Sequence, residues 1–333
     1  MLHTLPLSKS DLLYEKTLTE KIKLGISSCL LGNKVRYDGQ HKRDHFLVDT
    51  LGAYVDWIPV CPEVECGLPV PREAMRLVGD PGKPRLITIR SGIDHTERMQ
   101  KWAVKRVRML DKEELCGFVF KSRSPSSGMK GVKVYNDSGM PAHVGVGLFA
   151  KSFMDRFPLL PVEDEGRLND TLLRENFIER IFAFHRWKQY RRSDATVRGL
   201  IRFHTEHKLL IMAHSPVHYQ QLGKLVADTK ALPKNALLDE YSWLFFEGLA
   251  LLATNRKHAN VLQHMMGYFK KQLTPDEKTE LADLIRSYHS GLLPLIVPVT
   301  MINHYVRKYD EPYLKQQVYL NPHPFELKLR NHA

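Results

Sequence analysis

Four cysteines, Cys29, Cys61, Cys66 and Cys116, all lie in the N-terminal half of a 333-residue chain. Thiolates are soft ligands for iron-sulfur clusters and other metals, and clustered cysteines in a reducing compartment point to metal or redox chemistry more than to disulfide staples. Cys29 stands in the turn SSCLLGNKVRYDG, and Cys61 and Cys66 stand in PVCPEVECGLPVPR. A third turn, SRSPSSG at 122–128, has Ser124, Ser126 and Ser127 but no thiol. Glu63, two residues past Cys61, is the nearest candidate for general acid-base work. A free cysteine is commonly just a small buried hydrophobe. That reading is preferred for Cys116 and stays open for Cys66. It is weaker for Cys29 and Cys61, which abut turn residues at the ends of apolar runs.

Those runs are the elements that must position the turns. KIKLGISSCLLG reads as a short buried strand ending in a glycine turn, YVDWIPVCPE as a second strand stopped by Pro62, and CGFVFKSRSPSSG as a third. HFLVDTLGAY and DHTERMQKWAVKRVRML, lying between them, have helical spacing. The β-α-β-α rhythm predicts an α/β domain with a mainly parallel sheet, whose ligands bind beyond the C-terminal strand ends. RLITIRSG is a possible further strand, and LFAKSFMDRFPLLPVEDEG reads as a helix and a last strand. From Leu168 onward long helical periods predict an all-α domain, with Thr274, Pro275 and Glu277 as a capping box, Gly291 closing that helix, and Ser215-Pro216 opening another. The expected division is a leader over 1–19, an α/β domain over 20–165 and an all-α domain over 166–333. No internal repeat or low-complexity segment interrupts either half.

A net charge of +12 and a pI near 9.4 make the surface attractive to anionic partners, so nucleic acid is permitted as a partner. The N-terminus lacks the long apolar stretch of a secretory signal, which predicts a cytoplasmic, reducing location. No run reaches the roughly 18 apolar residues of a membrane span, so no membrane partner is expected. No oligomeric state follows from the sequence.

Over roughly residues 20–160, the three turns in this order resemble the iron-sulfur thiouracil desulfidase family. The resemblance implies a four-iron, four-sulfur (4Fe-4S) cluster held by three cysteines, with one open iron taking sulfur from a small thiolated pyrimidine. Cys29 and Cys61 match two of the ligands. The third family motif is Ser-Pro-Ser-Cys-Gly, whereas this chain reads Ser124-Pro125-Ser126-Ser127-Gly128. Tyr37, Asp38, Arg72, Ser124 and Ser126 are candidates for lining the substrate pocket, with hydroxyls and a guanidinium suited to the polar edges of a pyrimidine. Asp38-Gly39 is also a strong turn signal in its own right.

A serine hydroxyl gives up its proton far less readily than a thiol, which makes Ser127 a weak iron ligand. Three outcomes are open. Cys66, five residues after Cys61, completes a shifted set of ligands. Cys116 serves instead, although five or six extended residues separate it from the turn by about 16 to 20 Å. Or the cluster is lost, and a cluster-free nucleotide- or nucleic-acid-binding crevice remains.

Residues 168–330 resemble the YbgA-type helical domain through FHTEHKLLIMAHSP, NVLQHMMGYFKKQL and YVRKYDEPYLKQQVYLNPHP. That family carries no mechanism to transfer. His204 and His207 (i,i+3) and His214 and His218 (i,i+4) offer metal-ligand spacing. Pro216 divides the pairs and no acidic partner stands at ligand spacing, so hydrogen-bonded histidines are the favoured reading. Val261, Leu262, Met265 and Phe269 form an apolar core stripe opposite Lys257, Asn260, His264 and Lys271.

Overall fold

In the computed structural model, which describes residues 21–332, the apolar run IKLGIS forms β1 (Ile22–Ser27), buried at every position but Lys23. The leader expected over 1–19 lies outside the described residues. The other strands are β2 (Val55–Val60), β3 (Met75–Val78), β4 (Arg85–Thr88), β5 (Phe118–Phe120), β6 (Val132–Tyr135), β7 (Pro141–Gly145) and β8 (Val162–Asp164). The first sheet has the order β2-β1-β5-β8 and is parallel throughout. The chain leaves β1 for β2 on one side and later enters β5 on the other, so the sheet has a switch point at β1, where a crevice opens beyond the C-terminal ends. Gly25 faces Phe118 across the β1–β5 pair, and a Cβ there would lie 2.1 Å from the Phe118 ring. The aromatic ring thus takes the volume that a side chain on β1 would need.

A second sheet, β4-β3-β6-β7, is mixed, with β3–β6 parallel and its outer pairs antiparallel. Of its strands only RLITIRSG stood out in the sequence, because these strands span four or five residues and β7 exposes four of its five. Leu77, Leu86, Val132 and Val134 of this sheet pack on Met99 of α1 (Thr96–Asp111) and Leu148 of α2 (Leu148–Arg156). The face of α1 that is buried, Met99, Ala103, Val107 and Leu110, has the expected helical spacing. HFLVDTLGAY is not a regular helix. It forms one wide turn at Phe46–Thr50 and a tight turn at Leu51–Ala53, which suffice to bury Leu47 and Leu51 between β1 and β2.

The chain divides into two units, one ending at Gly166 and one starting at Arg167. The second is helical: α3 (Thr171–Ser193), α4 (Val197–His214), α5 (Pro216–Ala227), α6 (Lys234–Ala250), α7 (Asn255–Met266), α8 (Pro275–His289) and α9 (Ile296–Lys308). Thr274 and Glu277 form the reciprocal capping box of α8, Ser215 caps α5, and Gly291 takes the left-handed conformation after α8. Val261, Leu262, Met265 and Phe269 are fully buried. Among the described residues, no helix is long and apolar enough to cross a membrane.

Candidate functional site

Three turns at the C-terminal ends of β1, β2 and β5 enclose a cavity of about 290 Å³. After β1, a tight helical turn over Ser28–Leu31 ends at Gly32, whose φ of 96° suits glycine, and this turn carries Cys29. After β2, Cys61 precedes a single helical turn, Pro62–Glu65, and its amide donates to Glu65 Oε1 at 2.9 Å. That turn brings Glu63 back over Cys61. After β5, the serine turn is clamped by the start of α2: Phe149 N and Ala150 N donate to Ser126 O at 2.9 and 3.2 Å. Gly147 makes this close approach possible, since a Cβ there would lie 2.5 Å from the Ser126 carbonyl carbon.

Glu63 is the electrostatic centre of the crevice. Its Oε1 accepts from Ser126 Oγ at 2.5 Å, and its Oε2 lies 3.7 Å from Cys61 Sγ and 3.8 Å from Arg72 Nη2. Arg72 Nη1 donates to Val35 O at 3.0 Å, while its Nε is buried without a partner among the described residues. Burial pushes the Cys29 thiol up to about 11, against the opposing pull of Lys121. Burial and then the Glu63 carboxylate push Cys61 up to about 12. Ser127 Oγ lies 2.8 Å from Ser27 Oγ, which also accepts from Lys121 N at 2.8 Å.

Of the residues singled out in the sequence, Cys29, Cys61, Glu63, Tyr37, Arg72, Ser124 and Ser127 line one cavity. Ser126 reaches the site through Glu63. Asp38 is not brought there: it closes its own turn, accepting from Gln40 N at 3.0 Å and pairing with Arg36. Nor is Cys66. Its Sγ donates to Glu63 O at 3.2 Å and it packs against the core of the second sheet. Cys116 sits at the opposite end of β5, its amide bonded to Lys23 O. The sequence reading missed Ser27, Arg36 and Lys121. Lys121 pairs with Glu165, 44 positions away, a partnership no local spacing announces.

The histidine pairs do not converge on a common ligand position. His204 Nδ1 meets Tyr241 Oη at 3.2 Å, His207 Nδ1 donates to Phe203 O at 2.8 Å, and His218 lies between Ser215 and Glu247. His214 does meet an acid, Glu179 of α3, at 3.0 Å.

Residues 24–165 match the family model described as 2-thiouracil desulfurase, and residues 208–324 match that of a protein of unknown function, DUF1722. The uncharacterized protein YbgA of Escherichia coli is 35% identical over 156 residues, covering 46% of this chain and 90% of YbgA. The uncharacterized protein YbbK of Bacillus subtilis is 32% identical over 111 residues, covering 31% of this chain and 71% of YbbK. The chain belongs to the 2-thiouracil desulfurase family by its first unit and to the YbgA family by its second. Among solved structures it is similar to the [4Fe-4S]-dependent thiouracil desulfidase TudS, with 32% identity, 45% of this chain and 94% of that chain covered, and a TM-score of 0.37.

The donors of the desulfurase-family crevice can be weighed against a cluster held by three thiolates. Two thiols line the cavity, and the third position holds a hydroxyl already bonded to Ser27. With Cys66 and Cys116 directed elsewhere, the residues present do not fit a three-thiolate cluster.

Proposed function

We propose that the first unit is a desulfidase-type enzyme that replaces the sulfur of a small thiolated pyrimidine, such as 2-thiouracil, with oxygen from water. The observation that carries this reading is Glu63, a carboxylate bonded to Ser126 and facing the Cys61 thiol inside one cavity. The reaction is redox-neutral: C=S and H₂O become C=O and H₂S. Glu63 takes a proton from the attacking water and returns it to the departing sulfur. Arg72, whose Nε has no partner among the described residues, and Ser124 hold the polar edge of the ring. The thiols of Cys29 and Cys61 give the crevice soft, polarizable neighbours for the sulfur of the substrate.

A second reading, a cluster-free pocket that binds pyrimidines without turning them over, is favoured by the closed Ser27–Ser127 hydrogen bond. Anaerobic reconstitution with iron and sulfide, followed by metal analysis and 2-thiouracil turnover, separates the two. On the first reading the protein releases sulfide, Glu63→Gln slows release by about 10²- to 10⁴-fold, and Ser127→Cys raises bound iron toward four per cluster. Binding of the pyrimidine without sulfide release, by both wild type and Ser127→Cys, overturns it in favour of the second.

A further inference from the structure

The helical unit holds a polar cavity of its own, of about 240 Å³, whose lining includes Glu175, Asn176, Glu179, His214 and His258. Glu175 and Glu179 stand one turn apart on α3, so both carboxylates point the same way. Buried carboxylates are costly unless paired. A single guanidinium serves both. Arg330 Nε donates to Glu175 Oε1 at 3.2 Å, Nη2 to Glu179 Oε1 at 2.7 Å, and Nη1 to Tyr319 O at 2.7 Å. Glu179 Oε2 also meets His214 Nε2 at 3.0 Å. Among the described residues Glu175 Oε2 meets only His332 Nε2, at 3.4 Å, from a side chain that is 24% exposed. Burial and then Glu179 push Glu175 up to about 8. Burial also raises Glu179, but Arg330 and His214 hold it below the usual carboxylate range.

Two further side chains are unsatisfied on the cavity side. Asn176 is 8% exposed, and its Nδ2 lies 2.9 Å from Leu249 O and 3.4 Å from both Leu251 O and His214 Nδ1, which turns Oδ1 away from both carbonyls; among the described residues Oδ1 has no hydrogen-bond partner. His258 is 6% exposed, and its Nδ1 lies 2.9 Å from Tyr319 Oη while its Nε2 has no partner among the described residues. Both line the cavity. Beside the hydroxyl and amide groups of Thr171, Asn255 and Tyr288, this wall therefore presents a carboxylate oxygen, an amide oxygen and, in the tautomer whose Nδ1 donates to Tyr319 Oη, an imidazole nitrogen. Their complement is a ligand that brings several N–H groups.

We propose that this cavity binds a small organic nitrogen cation, an alkylammonium or guanidinium compound, through Glu175 Oε2, Asn176 Oδ1 and His258 Nε2. Arg330 already demonstrates the recognition, since its guanidinium bridges the same two carboxylates. A metal ion is a poorer occupant. The carboxylate oxygens already accept from Arg330, His214 and His332, which leaves lone pairs that suit N–H donors, and the volume exceeds one ion. The occupant displaces His332 from Glu175.

Titration calorimetry of the full chain with putrescine, agmatine and methylguanidine tests this, with uracil and Mn²⁺ as comparisons. At least one of the three cations is expected to saturate one site per chain, with half-saturation below about 1 mM. Ala253→Leu fills the cavity from a lining position outside the ion network and should weaken binding at least tenfold with the helical circular dichroism unchanged. Glu175→Gln should do the same where it folds. The proposal is overturned if none of the three saturates, if Ala253→Leu binds as well as wild type, or if only Mn²⁺ or uracil shows binding that Ala253→Leu removes.

Discussion

In the first unit the groups that meet at the crevice, Cys29, Cys61, Glu63 and Ser127, stand on turns that directly follow β1, β2 and β5. In the second unit Glu175, Glu179, His214 and Arg330 stand on helices and a C-terminal segment, with Glu175 and Arg330 separated by 155 positions. A parallel sheet gathers its C-terminal turns whatever their sequence, so small and sulfur-bearing residues there can be recognised from the order of residues alone. Helix faces meet only through packing. The two units also differ in how polar groups are stabilised: a crevice of hydroxyls, thiols and partly exposed ion pairs, Glu63 with Arg72 and Lys121 with Glu165, against a network of almost fully buried ions around Arg330. The consequence is a different sensitivity to mutation and to pH.

The largest effect should come from the buried ions. Arg330→Met leaves Glu175 and Glu179 facing each other without their shared cation, and removing one partner of a buried ion network costs about 3–5 kcal/mol. Calorimetric unfolding should show the helical unit's transition moved down and that of the α/β unit unchanged. Equal movement of both transitions, or of neither, would break the comparison.

Acid should separate the units next. Burial lowers His204 and His323 to about 4 and His207 and His258 to about 3. Their unfolded values lie near 6.5, so the unfolded chain takes up protons that the fold refuses. The stability they contribute is complete above pH 6.5 and is lost as pH falls, by about 1.4 kcal/mol per pH unit for each histidine. Glu175 acts oppositely. Its raised value makes the helical unit less stable as pH climbs from the ordinary carboxylate range toward 8. The helical unit should therefore be most stable near pH 6.5 and melt first on acidification. The thiols of the α/β unit, shifted upward, stay neutral across that range. Thermal melts between pH 4 and 8 provide the check, and a helical unit that outlasts the α/β unit at pH 4 would count against it.

Gly25→Ala strikes the α/β unit alone. A Cβ 2.1 Å from the Phe118 ring forces β1 and β5 apart, an overpacking cost of about 1–3 kcal/mol. Denaturant melts should show the loss in the α/β transition, with the helical transition unchanged.

The same contrast explains what the sequence disclosed. The parallel sheet and the Cys29, Cys61 and Glu63 turns were legible because apolar runs and turn residues are local signals. The capping box at Thr274 was legible for the same reason. Cys66 was not: five residues past Cys61 in a turn says nothing about direction, and one helical turn swings its sulfur to the other sheet's core. The second sheet was hidden because its strands span only four or five residues and one of them is largely exposed. For His214, spacing within α4 gave no hint that Glu179 would arrive from α3, and Glu175, Glu179 and Arg330 carried no motif at all.

The smallest effects bear most directly on Ser127. Ser27 Oγ accepts from Lys121 N and shares a hydrogen bond with Ser127 Oγ, both at 2.8 Å. Ser127→Ala removes one bond but leaves Ser27 bonded to the Lys121 amide, a loss of about 1 kcal/mol. Ser27→Ala leaves the Lys121 N–H without its acceptor and the Ser127 hydroxyl without its partner, and an unsatisfied buried donor costs about 1–3 kcal/mol. Denaturant melts should therefore rank Ser27→Ala as the more damaging change, with the helical transition indifferent to both. The reverse order would mean that the Ser127 hydroxyl serves something other than Ser27, and the donor set of the crevice would need to be redrawn around it.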